Sequence, residues 1–119
     1  MVNTNDPLRN ALSLINDKYK IEIIFHLLKS NKGFNQLKNN IEKINQQILS
    51  KQLKRLLKDG LIDKDQIKGF PKRPIYSITK FGKTLKPVIN SILKWENLNK
   101  KQINKIKKRN NRDSLYNYY

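Results

Sequence analysis

One stretch of the chain, residues 44–62, constrains the fold more than any other. Its sequence is INQQILSKQLKRLLKDGLI. Asn45 is a favourable helix N-cap, because its side-chain oxygen can accept a hydrogen bond from a free amide of the first turn. Gly60 is expected to end the helix, since glycine readily adopts the left-handed backbone found just past many helices. The apolar residues between them recur at helical spacing and form one face: Ile48, Leu49, Leu53, Leu56 and Leu57.

The other face of this predicted helix is polar and basic. It carries Gln47, Lys51, Lys54 and Lys58, at steps of four, three and four residues. Such a face can offer hydrogen bonds to base edges near its start and positive charge to phosphates along its length. The stretch therefore predicts a helix that packs its apolar face on a core and lies in a DNA major groove.

A short helix is predicted just before this one. Phe34, Leu37 and Ile41 lie on one side of it, residues 42–44 interrupt the pattern, and residues 30–33 before it are predicted to form a turn. A short helix, a tight connection and a longer helix with a polar face form the outline of a helix-turn-helix. In that motif the first helix braces the second.

A two-stranded hairpin is predicted after Gly60. Residues 61–65 and 74–79 suit short strands, with clear alternation of apolar and polar positions in the second. Gly69 and Pro71 mark the turn between them. The charged residues of this turn are all basic: Lys68, Lys72 and Arg73. A basic hairpin after a helix-turn-helix is the wing of a winged helix, and its tip can contact a phosphate or the minor groove.

Two further helices are predicted before the helix-turn-helix. Asp6 can cap a helix over residues 7–15, with Leu8 and Leu12 in its apolar stripe. A second helix, around residues 21–28, is apolar over most of its surface and is expected at the centre of the core.

A longer apolar helix is predicted after the hairpin. It is expected to begin near Thr84 or to be kinked near Pro87, and it carries Ile89, Ile92 and Trp95. This helix has more apolar surface than a small winged domain needs for itself. That excess would be explained by contact with another subunit.

These elements predict a mainly α fold with a small β-hairpin (α+β), namely a winged helix-turn-helix with N- and C-terminal dimerisation helices. Residues 1–98 would form the winged helix-turn-helix domain with its flanking helices. Residues 99–119 are polar and basic, and are expected to form a C-terminal tail that is partly helical or disordered.

The charge balance favours a polyanionic partner. The formal net charge is +17, from 26 Lys and Arg against 9 Asp and Glu. On a chain of this size that charge attracts nucleic acid first and an anionic membrane surface second. Lys, Asn and Ile are abundant throughout, as in proteins from AT-rich genomes, so part of the charge is explained by codon usage.

Several classes of function are excluded or disfavoured by composition. The sequence contains no cysteine, which rules out disulfides, thiol catalysis and cysteine redox sensing. His26 is the only histidine, and the acidic residues form no close pair, so neither a metal site nor an enzyme is expected. No apolar run is long enough to cross a bilayer, and residues 1–5 lack a signal pattern. We expect a cytoplasmic protein with no cofactor and no membrane association.

The order of these motifs resembles the HxlR-type winged helix-turn-helix transcription regulators of bacteria. The resemblance covers about residues 6–95. The matching fragments are Phe34-Asn35-Gln36-Leu37, Ile44-Asn45, Leu49-Ser50-Lys51-Gln52-Leu53, Asp59-Gly60-Leu61-Ile62 and Pro74-Ile75-Tyr76-Ser77-Ile78-Thr79, with Gly82, Leu85, Leu93 and Trp95.

The resemblance implies a homodimer held mainly by the terminal helices, with one recognition helix per subunit in successive major grooves of a near-palindromic operator. The candidate dimer-interface residues are Leu8, Leu12, Ile89, Ile92 and Trp95. Many members of the family sense oxidants with a cysteine that precedes a proline near the N-terminus. Asp6 precedes Pro7 here, so that chemistry is not expected. A small-molecule effector stays open.

The candidate contacts with double-stranded DNA fall into two groups. Glutamine can pair with adenine and lysine with guanine, so the start of the recognition helix is expected to contact bases. The remaining lysines of that helix and the wing are expected to contact phosphates. The residues predicted to bind DNA are Asn45, Gln46, Gln47, Ser50, Lys51, Lys54, Lys58, Lys68, Lys72 and Arg73.

Two alternatives remain open from the sequence. The polar face is also compatible with a nucleoid-associated or RNA-binding structural protein that has no sequence preference. A weaker alternative is an adaptor whose basic face binds an acidic protein. The tail either binds DNA or extends the dimer helix, and the sequence specifies neither the operator nor whether transcription is repressed or activated.

Overall fold

The computed structural model describes residues 5–67 and 73–116. Within these residues the chain forms two compact units, one that ends at Lys86 and one that begins at Pro87. The elements in chain order are α1 (Pro7–Ile15), α2 (Lys18–Lys29), β1 (Lys32–Gly33), α3 (Phe34–Asn40), α4 (Gln46–Lys58), β2 (Ile62–Ile67), β3 (Arg73–Ile78), α5 (Lys80–Lys83), α6 (Lys86–Leu98) and α7 (Lys100–Tyr116). The predicted mainly α fold with a small sheet is confirmed.

Side-chain caps set the starts of the first two helices. The Asp6 carboxylate accepts a hydrogen bond from the Arg9 amide at 3.1 Å, so α1 begins where the sequence predicts. The Asp17 carboxylate accepts one from the Tyr19 amide at 2.7 Å and starts α2 three residues before its first strongly apolar position. In both cases the cap satisfies an amide that has no partner inside the helix.

The sheet has three strands, one more than the predicted hairpin. All pairs are antiparallel and the order is β1-β3-β2, with Lys32 opposite Tyr76 and Ile62 opposite Ile78. Residues 30–33 were predicted as a turn, and this is wrong for Lys32 and Gly33, which form β1. On the side of β3 away from β2, the backbone amide and carbonyl groups need hydrogen-bond partners. The two residues of β1 pair with some of them.

The predicted hairpin is present as β2 and β3. The first strand begins one residue later and ends later than the predicted range of residues 61–65, because the register continues as far as Ile67 opposite Arg73. The predicted alternation in β3 is confirmed at Tyr76, which is buried. Residues 68–72, with the predicted wing cations Lys68 and Lys72, lie outside the described residues.

The core of the first unit is aliphatic. The side chains exposed by 2 % or less are Ile23, Ile24, Leu27, Leu37, Leu49, Leu53, Leu56, Leu61 and Ile62. Helix α2 supplies three of them and α4 another three, as their apolar patterns predict. Burying one such side chain contributes about 1.5–3 kcal/mol, so this cluster dominates the stability of the unit.

The second unit consists of helices over its described length. Helix α6 begins at Lys86, which confirms a start near Thr84 in preference to a kink at Pro87. Proline fits the first turn because its missing amide would have no helical partner there. Asn99 separates α6 from α7, and its amide still bonds to the Trp95 carbonyl at 3.2 Å. The basic tail is helical from Lys100 to Tyr116.

Thr79 connects the end of α4 to the start of α5. Its hydroxyl contacts the carbonyl oxygens of Gly60, at 2.7 Å, and Leu61, at 3.0 Å. The same hydroxyl oxygen accepts a hydrogen bond from the Gly82 amide at 2.9 Å. This arrangement brings Gly82 against the backbone, where a Cβ atom would overlap the Leu61 carbonyl oxygen and the side chain of Ile78.

We expect Gly82→Ala to lower the free energy of unfolding by roughly 3 kcal/mol, the upper end of the usual cost of overpacking, because the nearest obstacle is backbone. The measurement is urea denaturation followed by circular dichroism. Gly60→Ala is the matched control. No atom blocks a Cβ there, but its φ of +74° is unfavourable for alanine, so the expected cost is about 1 kcal/mol. Equal losses for the two variants would contradict the packing argument.

Candidate nucleic-acid interface

The connection between α3 and α4 holds the second helix of the motif in place. Ile41 and Ile44 are buried, while Glu42 and Lys43 between them are exposed. Lys43 has a positive φ of 62°, which allows the chain to turn sharply within this short connection. The predicted helix-turn-helix is therefore present, with two isoleucines securing the turn.

Asn45 begins α4 as the sequence predicts. Its side-chain oxygen accepts a hydrogen bond from the Ile48 amide at 2.8 Å. The helix runs to Lys58, and Gly60 adopts the left-handed conformation just beyond it. The first turn contains no acidic residue, so no carboxylate offsets the partial positive charge at this helix end. The end of α4 that is predicted to contact bases is thus favourable for anions.

The apolar and polar faces of α4 are separated as predicted. Leu49, Leu53 and Leu56 are buried, whereas Ile48 and Leu57 at the borders are partly exposed. The polar face borders one open groove of about 810 Å³, lined by Gln46, Gln47, Ser50, Lys51, Lys54, Arg55 and Lys58. All of these side chains are exposed except Ser50, which is half-buried.

The basic side chains of this groove have no acidic partners in the described part of the chain. The ion pair that the described residues do form joins Arg9 and Asp6, with 3.5 Å between Nε and Oδ2, and both residues precede α4 by more than 30 positions. The positive charge of the groove is therefore not neutralised by neighbouring acids. The structure brings together six of the predicted DNA-binding residues here and adds Arg55 to them.

Gln52 is a polar residue of α4 whose burial was not predicted. Its side chain is 8 % exposed, so it lies with the apolar face and not with the other glutamines of the helix. The step of five residues from Gln47 to Gln52 was the available signal, because five residues carry a side chain well past the face on which it started.

The start of β3 lies beside the start of α3. Arg73 is exposed and lines a groove of about 570 Å³ with Pro74, Ile75 and residues 33–36. A local hydrogen bond links the two ends of this turn, since the Gln36 side-chain oxygen accepts from the Gly33 amide at 2.8 Å. Arg73 is the one predicted wing cation within the described residues, and it lies opposite Ile67 at the end of the hairpin next to the turn.

The predicted dimer-interface residues divide into two groups. Leu8, Leu12, Ile92 and Trp95 are 70, 47, 50 and 63 % exposed, so each leaves apolar surface that the chain does not cover. Ile89 is only 4 % exposed. Its side chain is already buried within the chain and offers almost no surface to a second copy, and its assignment to the interface stays a prediction.

Other kinds of site find no support in the described residues. They contain no group of three or more metal-binding side chains. None of the helices described is long and apolar enough to cross a membrane. His26 is half-buried beside Phe25, and burial, followed by the charges of Lys29 and Lys32, lowers the pKa of its imidazole.

The comparisons with known proteins agree with this geometry. The family model described as HxlR-like helix-turn-helix matches residues 14–104. The chain belongs to this family. The uncharacterized HTH-type transcriptional regulator YdeP of Bacillus subtilis strain 168 is 36 % identical over 100 residues, which are 84 % of this chain and 78 % of that protein.

Solved structures of similar proteins share the fold of this HxlR-like chain. The redox regulator HypR in its reduced form has a TM-score of 0.78 and 28 % identity, over 84 % of this chain and 99 % of that one. A transcriptional regulator assigned to the MarR family, from Porphyromonas gingivalis W83, has a TM-score of 0.74 and 30 % identity, over 80 % of this chain and 93 % of that one. The chain described here contains no cysteine, so thiol chemistry is unavailable to it.

The cap of α4 gives a test of how the recognition helix is positioned. We expect Asn45→Ala to lower the free energy of unfolding by about 1 kcal/mol, because the Ile48 amide loses its acceptor. Asn45→Asp keeps the acceptor and is the matched control, with stability near that of the wild type. The measurement is the urea midpoint of each variant. If both variants lose the same stability, the amide group of Asn45 acts through some contact other than the cap.

Proposed function

We propose that this protein is a sequence-specific, duplex DNA-binding transcription regulator that acts as a homodimer. The observation that carries the proposal is the exposed, unpaired polar and basic face of α4, held on a buried aliphatic back next to a bracing helix. The HxlR-like family membership and the relatives named as transcriptional regulators support the same conclusion.

The length and chemistry of α4 suit a major groove. Its 13 residues extend over roughly 20 Å, and the major groove is wide enough to admit an α-helix. Gln46, Gln47 and Ser50 near its start would contact base edges, with Lys51. Lys54 and Lys58, further along, would contact phosphates, as would Arg73 and the wing residues Lys68 and Lys72.

Exposed apolar side chains support the homodimer. Leu8 and Leu12 on α1, and Ile92 and Trp95 on α6, are large residues that a monomer would leave in water. Burial of apolar surface is the main favourable term in subunit association. Two subunits would present two α4 helices, which matches the two half-sites of a near-palindromic operator.

If the start of α4 contacts bases and its later part contacts phosphates, substitutions in the two parts should have different effects: loss of sequence preference and loss of overall DNA affinity. Gln47→Ala with Ser50→Ala should reduce the preference for operator over random DNA, since base contacts contribute about 1–3 kcal/mol each to discrimination. Lys54→Ala with Lys58→Ala should weaken binding to all duplexes. If about eight phosphates are neutralised per dimer, this second pair should move the log–log salt slope from roughly −7 toward roughly −4.

The measurement is fluorescence anisotropy with operator and scrambled duplexes across a salt series. Each pair is the control for the other, because both remove two side chains from the same helix face. Equal loss of preference in both pairs would contradict the division, and a wild-type slope near zero would contradict DNA binding through phosphates.

If the apolar face of α6 forms the dimer contact, a charged residue on that face should change the protein from a dimer to a monomer. We expect Ile92→Glu to shift the protein from dimer to monomer at micromolar concentration, because it places a charge on the apolar face of α6. Asn90→Glu adds the same charge two residues away, on the opposite side of the helix, and should leave the dimer intact. Sedimentation velocity distinguishes the two. A dimeric Ile92→Glu protein would place the interface elsewhere.

A second candidate function is a nucleoid-associated or RNA-binding structural protein. The net charge of +17 and the exposed basic residues of α7 favour it, since such charge attracts any nucleic acid. It predicts equal affinity for all duplexes and no effect of the Gln47 and Ser50 pair on preference. Either function requires access to nucleic acid, so the cytoplasmic location expected from the sequence is part of the proposal.

A further inference from the structure

A small cavity of about 190 Å³ lies between the start of α2 and the middle of α4. It adjoins the groove on the polar face of α4, with which it shares two lining residues. The cavity is lined by Asn16, Asp17, Lys20, Lys51, Gln52 and Arg55. Three of these side chains are basic and one is acidic, so the cavity is positive.

Lys20 is the unusual member of this lining. It is only 3 % exposed, although lysine is almost never buried without a charged partner. Its ammonium group has three donors, and among the described residues it has one hydrogen-bond acceptor, Asn16 Oδ1, at 3.4 Å. No carboxylate of the described residues lies within ion-pair distance of it, and the Asp17 carboxylate of the cavity caps the Tyr19 amide at 2.7 Å.

We infer that this cavity binds a small oxyanion, of the size of phosphate or a short carboxylate, against Lys20. A bound oxyanion supplies the missing counter-charge and acceptors for the buried ammonium group. Gln52, 8 % exposed, can donate from its amide, and Arg55 can donate two parallel hydrogen bonds to one anion.

The size of the cavity suits a small ligand. Pockets for drug-sized molecules have volumes of about 300–1,000 Å³, and this one is smaller. It is larger than the space of a few water molecules, which take about 30 Å³ each in the liquid. A tetrahedral phosphate or a short carboxylate fits that range.

The cavity is positioned to affect DNA binding, and this step depends on the function proposed above. Lys51 and Arg55 line both the cavity and the open groove on the polar face of α4. An oxyanion that holds these two cations draws positive charge away from the groove. The bound oxyanion should therefore weaken DNA binding, which makes the cavity a regulatory site.

The first experiment measures the oxyanion alone. Inorganic phosphate is titrated by calorimetry into the full chain without DNA, at constant ionic strength in a chloride buffer. We expect one site per chain in the wild type and a loss of at least about tenfold in affinity for Lys20→Gln, which removes a charge-assisted contact. Asn16→Asp should cause the same loss, because it places a permanent carboxylate where Oδ1 already meets the ammonium group.

Two variants are used so that a loss of phosphate binding cannot be explained by misfolding of one of them. Asn16 is exposed, so its change to Asp is expected to preserve the fold, as thermal unfolding would verify. No phosphate binding by the wild type would overturn the inference. Equal binding by the wild type and both variants would also overturn it, because the ion would then occupy the general basic surface.

The second experiment measures DNA affinity with phosphate and with chloride at equal ionic strength. Phosphate should weaken DNA binding by the wild type about five- to tenfold beyond chloride, within the usual range of coupling between sites. Lys20→Gln should bind DNA as the wild type does in chloride and should not respond to phosphate. Weaker DNA binding by Lys20→Gln in chloride, with no phosphate site in the calorimeter, would assign Lys20 to DNA or to the fold and overturn the inference. Phosphate binding without any DNA binding would refute the proposed function and leave the oxyanion site standing.

Discussion

Burial of the apolar face of α4 is the interaction on which the rest of the structure depends. Leu49, Leu53 and Leu56 pack into the core to which α2 contributes Ile23 and Leu27. An isolated helix of this length is only marginally stable in water, so α4 owes its helical state mainly to this packing. Because the apolar face of α4 is buried in the core, its polar face must point away from the core, toward solvent. The position of the proposed interface with nucleic acid therefore depends on the packing of the core.

Much of the fold could be predicted from the sequence because local chemistry decides it. Asp6 and Asn45 are caps, and each starts a helix at the expected residue. Hydrophobic period and segment length distinguished α4 from the strands that follow it. For α6 the sequence allowed a start near Thr84 or a kink near Pro87, and the helix begins at Lys86 with the proline in its first turn. The six polar residues of α4 that were expected to share a face do so, because helical spacing alone determines that arrangement.

The remaining features arise from contacts between residues far apart in the chain. Strand β1 exists because β3 offers it an edge, and two residues carry no periodicity from which a strand could be inferred. Ile89 and Ile92 are the same residue type on one helix, and only tertiary packing makes the first buried and the second exposed. Lys20 has a charged side chain that sequence patterns place outside, so its burial, and the cavity that it lines, had no local signal.

The absence of acidic residues from the first turn of α4 has a consequence for how this helix can change. A carboxylate at Gln46 or Gln47 would stabilise the helix by a few tenths of a kcal/mol to about 1 kcal/mol, through the helix dipole. The same charge would repel a polyanion at the end of α4 that is most favourable for one. The first turn of α4 therefore lacks the stabilising carboxylate that many helices have, at the end where DNA is proposed to bind. Selection for stability and selection for binding oppose each other at these two positions, and the present residues favour binding.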